Sequence, residues 1–353
     1  MSAILYPLAT TRQHPIFAVL KEHSLLLSIV GAHFLAALVL CWKYPAKYQQ
    51  SLQLPSYLLT LSLGICFALC GFTLYVMIFK RPDRLLHFLR QELKRHLTSH
   101  RLLYALPVLG MMPLFASSFT VLKAAIPLYQ SFAWDARFMH IDQALHGGVL
   151  PWVLLQHVLG HPLITAFINF VYHLWFFIML GAIYWLAFAM EVRRLRMQFV
   201  LSFVLSWILL GNVVAMLLSS AGPCYYAHVV GGPDPYAPLM SYLHGANHDW
   251  PIWALDVQDM LWKEFSAGSG TNALSISAMP SMHVGTAVLL ALLGWRLNRL
   301  AGVLLTTFAA LIMIGSVHLG WHYAVDGYVS GLGAILIWNL VGRLPQVRRL
   351  EQP

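Results

Sequence analysis

Eight long apolar stretches, almost free of charge inside, constrain what this 353-residue chain can fold into. They run over 25–42, 57–79, 102–122, 162–190, 199–219, 278–295, 300–317 and 326–342. A membrane-crossing helix takes about 20 mostly apolar residues, and no water-soluble core accommodates so many such runs. The sequence therefore predicts an all-α, polytopic membrane protein of about eight transmembrane helices. Composition agrees: 59% of residues are hydrophobic and 10% charged, against about 45–50% and about 25% in ordinary soluble domains. That scarcity of charge excludes a disordered chain, a nucleic-acid platform and a plain soluble enzyme. Of the eight runs, the sixth is short of purely apolar residues after Met282 and the eighth opens on an acid, Asp326.

The net charge of +9 acquires a meaning once the cations are placed along the chain. With the N-terminus inside, the inner connections hold 17 of the 22 lysines and arginines and the outer ones hold 5. Basic residues concentrate on the cytoplasmic side of membrane proteins, so both termini are expected there. The first apolar run lacks a clean signal-peptidase pattern and is read as a span. Residues 80–101 mix Arg81, Arg84, Arg90, Lys94 and Arg95 with leucines at helical spacing. This is the pattern of a helix lying on an anionic leaflet, or of an orientation signal alone. The expected organisation is a two-span region with that basic helix (1–101), a six-span membrane domain (102–342) and a tail (343–353). The outer connections 124–161 and 220–277 are aromatic and weakly charged, as suits an interfacial cap.

Two clusters carry chemistry. The first is Ala278-Met279-Pro280-Ser281-Met282-His283, where Pro and Ser before an apolar run mark a helix N-terminus. First-turn amides there make a seat for phosphate oxygens, with His283 beside it. The second is Gly315-Ser316-Val317-His318-Leu319-Gly320-Trp321-His322-Tyr323-Ala324-Val325-Asp326. His322 and Asp326 stand four apart and share a helix face. A carboxylate on one ring nitrogen leaves the other free as a nucleophile or base. His318 can share that face, and 318/322/326 also resembles a metal trio, although the outer loops supply no further ligand pattern. Both clusters fall on the same, outer, side. Two histidines and an acid converging there suit nucleophilic chemistry with a separate proton donor. His33 and His173, inside apolar runs, are expected to be hydrogen-bonded packing residues. Ala267-Gly268-Ser269-Gly270 only approaches a serine-hydrolase wording.

Pro280-Ser281-Met282-His283 and His322-Tyr323-Ala324-Val325-Asp326 together resemble the second and third signature motifs of the type 2 phosphatidic acid phosphatase superfamily. The resemblance is strong over roughly the last 80 residues and looser in the multi-span layout, and it implies a core helical bundle of that type with additional N-terminal helices. It further implies that His322 attacks phosphorus and becomes a phosphohistidine, with Asp326 orienting it. His283 would protonate the leaving alkoxide and then deprotonate the incoming hydroxyl. Ser281 and nearby amides would bind substrate oxygens, with Ser316, His318 and Tyr323 close by, and no metal or organic cofactor would be needed.

The departures from the family wording are specific. Met282 replaces a glycine, Gly315 and Ser316 stand where the third motif has Ser-Arg, and the first motif, a lysine followed seven residues later by Arg-Pro, is missing. Arg81-Pro82, the one Arg-Pro pair, has Leu74 at the lysine position. A site short of cations suits a monoanionic phosphodiester better than a phosphomonoester dianion. This is similar to the inositol phosphorylceramide synthase and sphingomyelin synthase branch, and the wording is nearest the inositolphosphotransferase group. The expected function is transfer of a phosphorylated head group from a membrane phospholipid to a lipid hydroxyl, ceramide-like. The alternatives are a lipid phosphatase or phospholipase C-like hydrolase, and a non-catalytic lipid-binding or transport protein. Nothing in the sequence sets the oligomeric state.

Overall fold

The computed structural model describes residues 15–48, 52–267 and 276–351; Gly268, Ser269 and Gly270 lie outside them. Among the described residues every regular element is helical, as a bilayer requires, since helices satisfy their own backbone polar groups where no water can. In chain order the main helices are α1 Pro15–Lys43, α2 Leu54–Lys80, α3 Leu85–His96, α4 Ser99–Ala124, α5 Asp135–Leu145, α6 Pro151–Leu159 and α7 Pro162–Phe188. They continue with α8 Met190–Leu217, α9 Ala237–Asp249, α10 Trp253–Ser266, α11 Met282–Leu297, α12 Arg299–His318 and α13 Ala324–Arg343.

Seven of these (α1, α2, α4, α7, α8, α12 and α13) are long and apolar enough to cross a membrane. The chain is thus a multi-pass membrane protein. The expected sixth span, 278–295, differs. Its helix starts only at Met282 and has 16 residues, about 24 Å at 1.5 Å per residue, below the roughly 30 Å hydrocarbon thickness. The reason is local: the Ser281 hydroxyl accepts from the Val284 amide at 3.4 Å and caps the helix there, leaving Ala278–Ser281 as irregular chain.

This short helix is the centre of the bundle. Most of α11 is buried, against α12 on one side and α13 and α8 on the others. Gly285 lets α13 come close, since a Cβ there would lie 2.4 Å from the Ser330 hydroxyl oxygen. The N-terminal helices wrap this core. α1 packs along α4, and α2 leans on α4 and α7 with little of its surface covered. α3 is amphipathic and buries none of its residues, as expected of a helix lying on a membrane surface. His33 bonds Ser118 and Asn212 at 2.7 and 3.0 Å, and His173 bonds the Asn169 carbonyl at 2.8 Å, so both are tied into helix packing.

Candidate active site

The two clusters meet at one end of the bundle because α11 and α13 begin there side by side. The Ser281 amide donates to the Asp326 carbonyl at 3.2 Å and the Ser330 hydroxyl donates to the Ser281 carbonyl at 2.5 Å. Positions 45 residues apart in sequence, 281 and 326, thus become neighbours. Between them, Leu319–Tyr323 turns out of α12 and into α13, and carries His322.

Asp326 sits in the first turn of α13, where one carboxylate oxygen does two jobs. Its Oδ2 accepts from the Tyr323 amide at 3.1 Å, capping the helix, and lies 3.3 Å from His322 Nδ1. The carboxylate therefore accepts a hydrogen bond from Nδ1–H, which keeps the proton on that nitrogen and leaves the Nε2 lone pair free. His322 is nearly buried, and burial together with the nearby Lys123 ammonium pushes its pKa down to about 3, against the raising effect of the Ala278 backbone. The ring is consequently neutral at physiological pH, the state a nucleophile needs.

His283 faces it across the cavity, with ring centroids 6.4 Å apart. Reacting atoms approach within about 3–3.5 Å before bond formation, so a phosphorus atom fits between two rings at that separation. Aromatic neighbours fix the His283 plane: Tyr172 stacks at 4.6 Å and Trp175 lies at 4.3 Å. The cavity is about 280 Å³ and is lined by both histidines, by Pro280 and Met282, and by Lys123.

Lys123 corrects the expectation of a site without cations. It ends α4, where sequence alone counts it among loop charges, yet it lines the histidine cavity and its charge bears on both His283 and His322. Among the described residues no carboxylate pairs with it. No signal in the sequence pointed to it: Gln130 and Ser131 stand at the positions where the first motif would place Arg-Pro after a lysine.

Two acids of the outer connection 124–161 brace the turn. Both belong to α5. Asp135 accepts from the Ala221 and Gly222 amides and, at 2.8 Å, from the Tyr323 hydroxyl. Asp142 accepts from the Ala324 and Val325 amides at 2.7 and 2.9 Å, at the positive end of α13. Burial pushes both carboxyls above the usual range, and these amide donors pull them back. Gly222 is required here. It sits at φ 106°, and a Cβ would lie 2.6 Å from the Trp321 carbonyl oxygen.

The four expected substrate contacts are buried and engaged with protein. Ser281 caps α11; Ser316 bonds the Met313 carbonyl and receives the His322 amide at 2.9 Å; the Tyr323 hydroxyl is on Asp135. His318 Nε2 bonds Thr165 at 2.9 Å, away from the cavity lining. The structure thus brings His283, His322, Asp326 and Lys123 together, and builds the frame from the other four.

A family model described as the PAP2 superfamily matches residues 136–340. The chain belongs to the PAP2 superfamily. PAP2 proteins are generally phosphatases and phosphotransferases, and both histidine clusters lie inside the matched region. Lys123, Asp135 and helices α1 to α4 precede it. No curated protein and no solved structure matches the chain.

Proposed function

We propose that this PAP2 protein is a lipid phosphotransferase that works through a phosphohistidine on His322. The observation that carries the proposal is the opposed pair, His322 on Asp326 and His283 at 6.4 Å across a cavity lined by one cation. In the first step the His322 Nε2 lone pair forms a bond to phosphorus. The bond from phosphorus to the diacylglycerol oxygen breaks. His283, which burial and its Lys123 neighbour keep neutral in the free site, takes up a proton once the substrate phosphate anion lies beside it and gives that proton to the departing alkoxide. In the second step neutral His283 takes the proton of a lipid hydroxyl as that oxygen attacks phosphorus, and the P–N bond breaks. Asp326 stabilises the positive charge that His322 acquires. The first-turn amides of α11 and the Lys123 ammonium face the phosphoryl oxygens.

Lys123 refines the substrate argument. One ammonium at the cavity matches the single charge of a phosphodiester and leaves a dianion half compensated. A head-group donor such as phosphatidylinositol and a ceramide-like acceptor therefore suit the site, as in the inositol phosphorylceramide synthase-like group. The charge asymmetry of 17 against 5 cations supports cytoplasmic termini and a site on the opposite, periplasmic or lumenal, face.

The test uses the purified full chain with phosphatidylinositol, phosphatidylethanolamine or phosphatidic acid labelled on phosphorus, with and without ceramide or diacylglycerol. The expected outcome is an acid-labile phosphoprotein that disappears in His322→Ala, and label that passes to the second lipid. Fast, acceptor-independent phosphate release from phosphatidic acid overturns the transferase assignment. Normal turnover by His322→Ala removes the covalent mechanism.

A further inference from the structure

A second cavity, of about 400 Å³, adjoins the histidine cavity. That volume lies within the common range for small-molecule sites, about 300–1,000 Å³. Its walls are Thr60 and Leu61 of α2, Ala116 of α4, Ile183 of α7 and Phe203 of α8. The two cavities share Phe119, Lys123, Trp207 and Leu261, so Lys123 stands at their junction.

The polar groups on this wall are already satisfied. The Tyr57 hydroxyl and Thr120 bond each other, the Tyr184 hydroxyl donates to the Leu61 carbonyl at 3.3 Å, and Thr60 donates to the Ser56 carbonyl at 2.9 Å. What remains is a hydrocarbon surface with one ammonium at one end. An occupant matching both must be an amphiphile with an anionic head and an alkyl tail. A neutral lipid acceptor offers the cation only uncharged hydroxyl or carbonyl oxygens, whereas the phosphate-bearing donor offers the opposite charge.

We infer that this chamber holds an acyl chain of the phospholipid donor, with its phosphate at Lys123 between the two histidines. The inference rests on the function proposed above and adds where the donor lies. α2 supplies the wall nearest the lipid. It is only 6% buried over its most apolar window, and Gly64 is where it meets α7, since a Cβ there would lie 2.3 Å from the Tyr184 hydroxyl oxygen. Because α2 and α4 both precede the matched region 136–340, selection of the donor chain draws on helices outside that region together with α7 and α8 inside it.

The experiment reads binding, independently of turnover. Full-length His322→Ala protein in detergent micelles is irradiated with phosphatidylinositol carrying a diazirine near the end of one acyl chain. Saturable labelling of α2, α4 and α7, competed by unlabelled dipalmitoyl phosphatidylinositol, is the expected result. Ala116→Trp, which fills the chamber, should abolish that labelling, and Lys123→Met should lower it about tenfold, the worth of one hydrogen bond to a charged group. Labelling elsewhere, no saturable labelling, or labelling that survives Ala116→Trp overturns the chamber. Phosphohistidine formed without such labelling sinks this inference alone; labelling without phosphohistidine sinks the catalytic proposal alone.

Discussion

At the residue scale the site is a problem of proton placement. His322 is useful because it is neutral, and it is neutral because it is buried beside a cation. The unfolded chain's histidine titrates near 6.5 while the folded one stays unprotonated down to about 3. Between those values the unfolded state binds more protons, so this residue makes stability fall as pH drops from 6.5 toward 3, by up to about 1.4 kcal/mol per pH unit. Comparing the pH slope of detergent-state stability in the wild type and His322→Gln checks it, and an unchanged slope contradicts the assignment. His283→Ala should lower turnover by about 10²–10⁴-fold, the usual range for a lost general acid–base. Lys123→Met should lower kcat/KM by at least about tenfold, with partial rescue in Lys123→Arg. The His322/Asp326 pair was legible from the sequence as a four-residue spacing, but the two do not share a helix face. His322 lies in the turn before α13 and meets Asp326 where that carboxylate caps the helix. Lys123 was not legible, because its partners lie more than 150 positions away along the chain.

At the element scale the turn between α12 and α13 is held from outside. Asp142 takes the Ala324 and Val325 amides at the start of α13, and Asp135 takes the Tyr323 hydroxyl. Replacing Asp142 with alanine orphans the buried Ala324 amide, at about 1–3 kcal/mol, and the half-buried Val325 amide at less, and loosens His322 against Asp326. The expected signature is a kcat reduced by at least about tenfold with KM nearly unchanged, measured as head-group transfer; Asp142→Asn, which keeps one acceptor oxygen, should recover part of it. A mutant changed only in thermal stability would assign Asp142 to the fold alone. The apolar runs 57–79, 102–122 and 300–317 were legible as helices, and their observed limits extend them by one to three residues at each end, with caps such as Thr98 and Asn298 fixing the starts. The sixth span was read too long because hydropathy sees Ala278 and Met279 as membrane residues, whereas the Ser281 cap decides where the helix begins.

At the scale of the whole molecule, α1 is pinned to α8 by a buried ionic cluster at Glu22. Arg193 and Arg196 both pair with it, Arg196 at 3.0 Å. Arg196 is fully buried and also bonds His23 at 3.0 Å. Glu22→Ala would strand the buried Arg196 charge, at a cost of about 3–5 kcal/mol, read as a lowered midpoint in detergent unfolding. Clamped this way, the N-terminal helices are held against the bundle that carries the histidines, and with α7 and α8 two of them enclose the chamber beside Lys123.

Sequence by itself determined the membrane class, the helical content and the spacing of the two histidine motifs. Each of these follows from hydrophobicity or from helical period, which act over a few turns of chain. Only the tertiary structure decided that one lysine stands at the site, that Asp135 and Asp142 hold the His322 turn, and that the N-terminal helices close a chamber beside it. Those contacts join residues far apart in sequence, and local periodicity carries no record of which distant side chain a packed bundle will bring alongside.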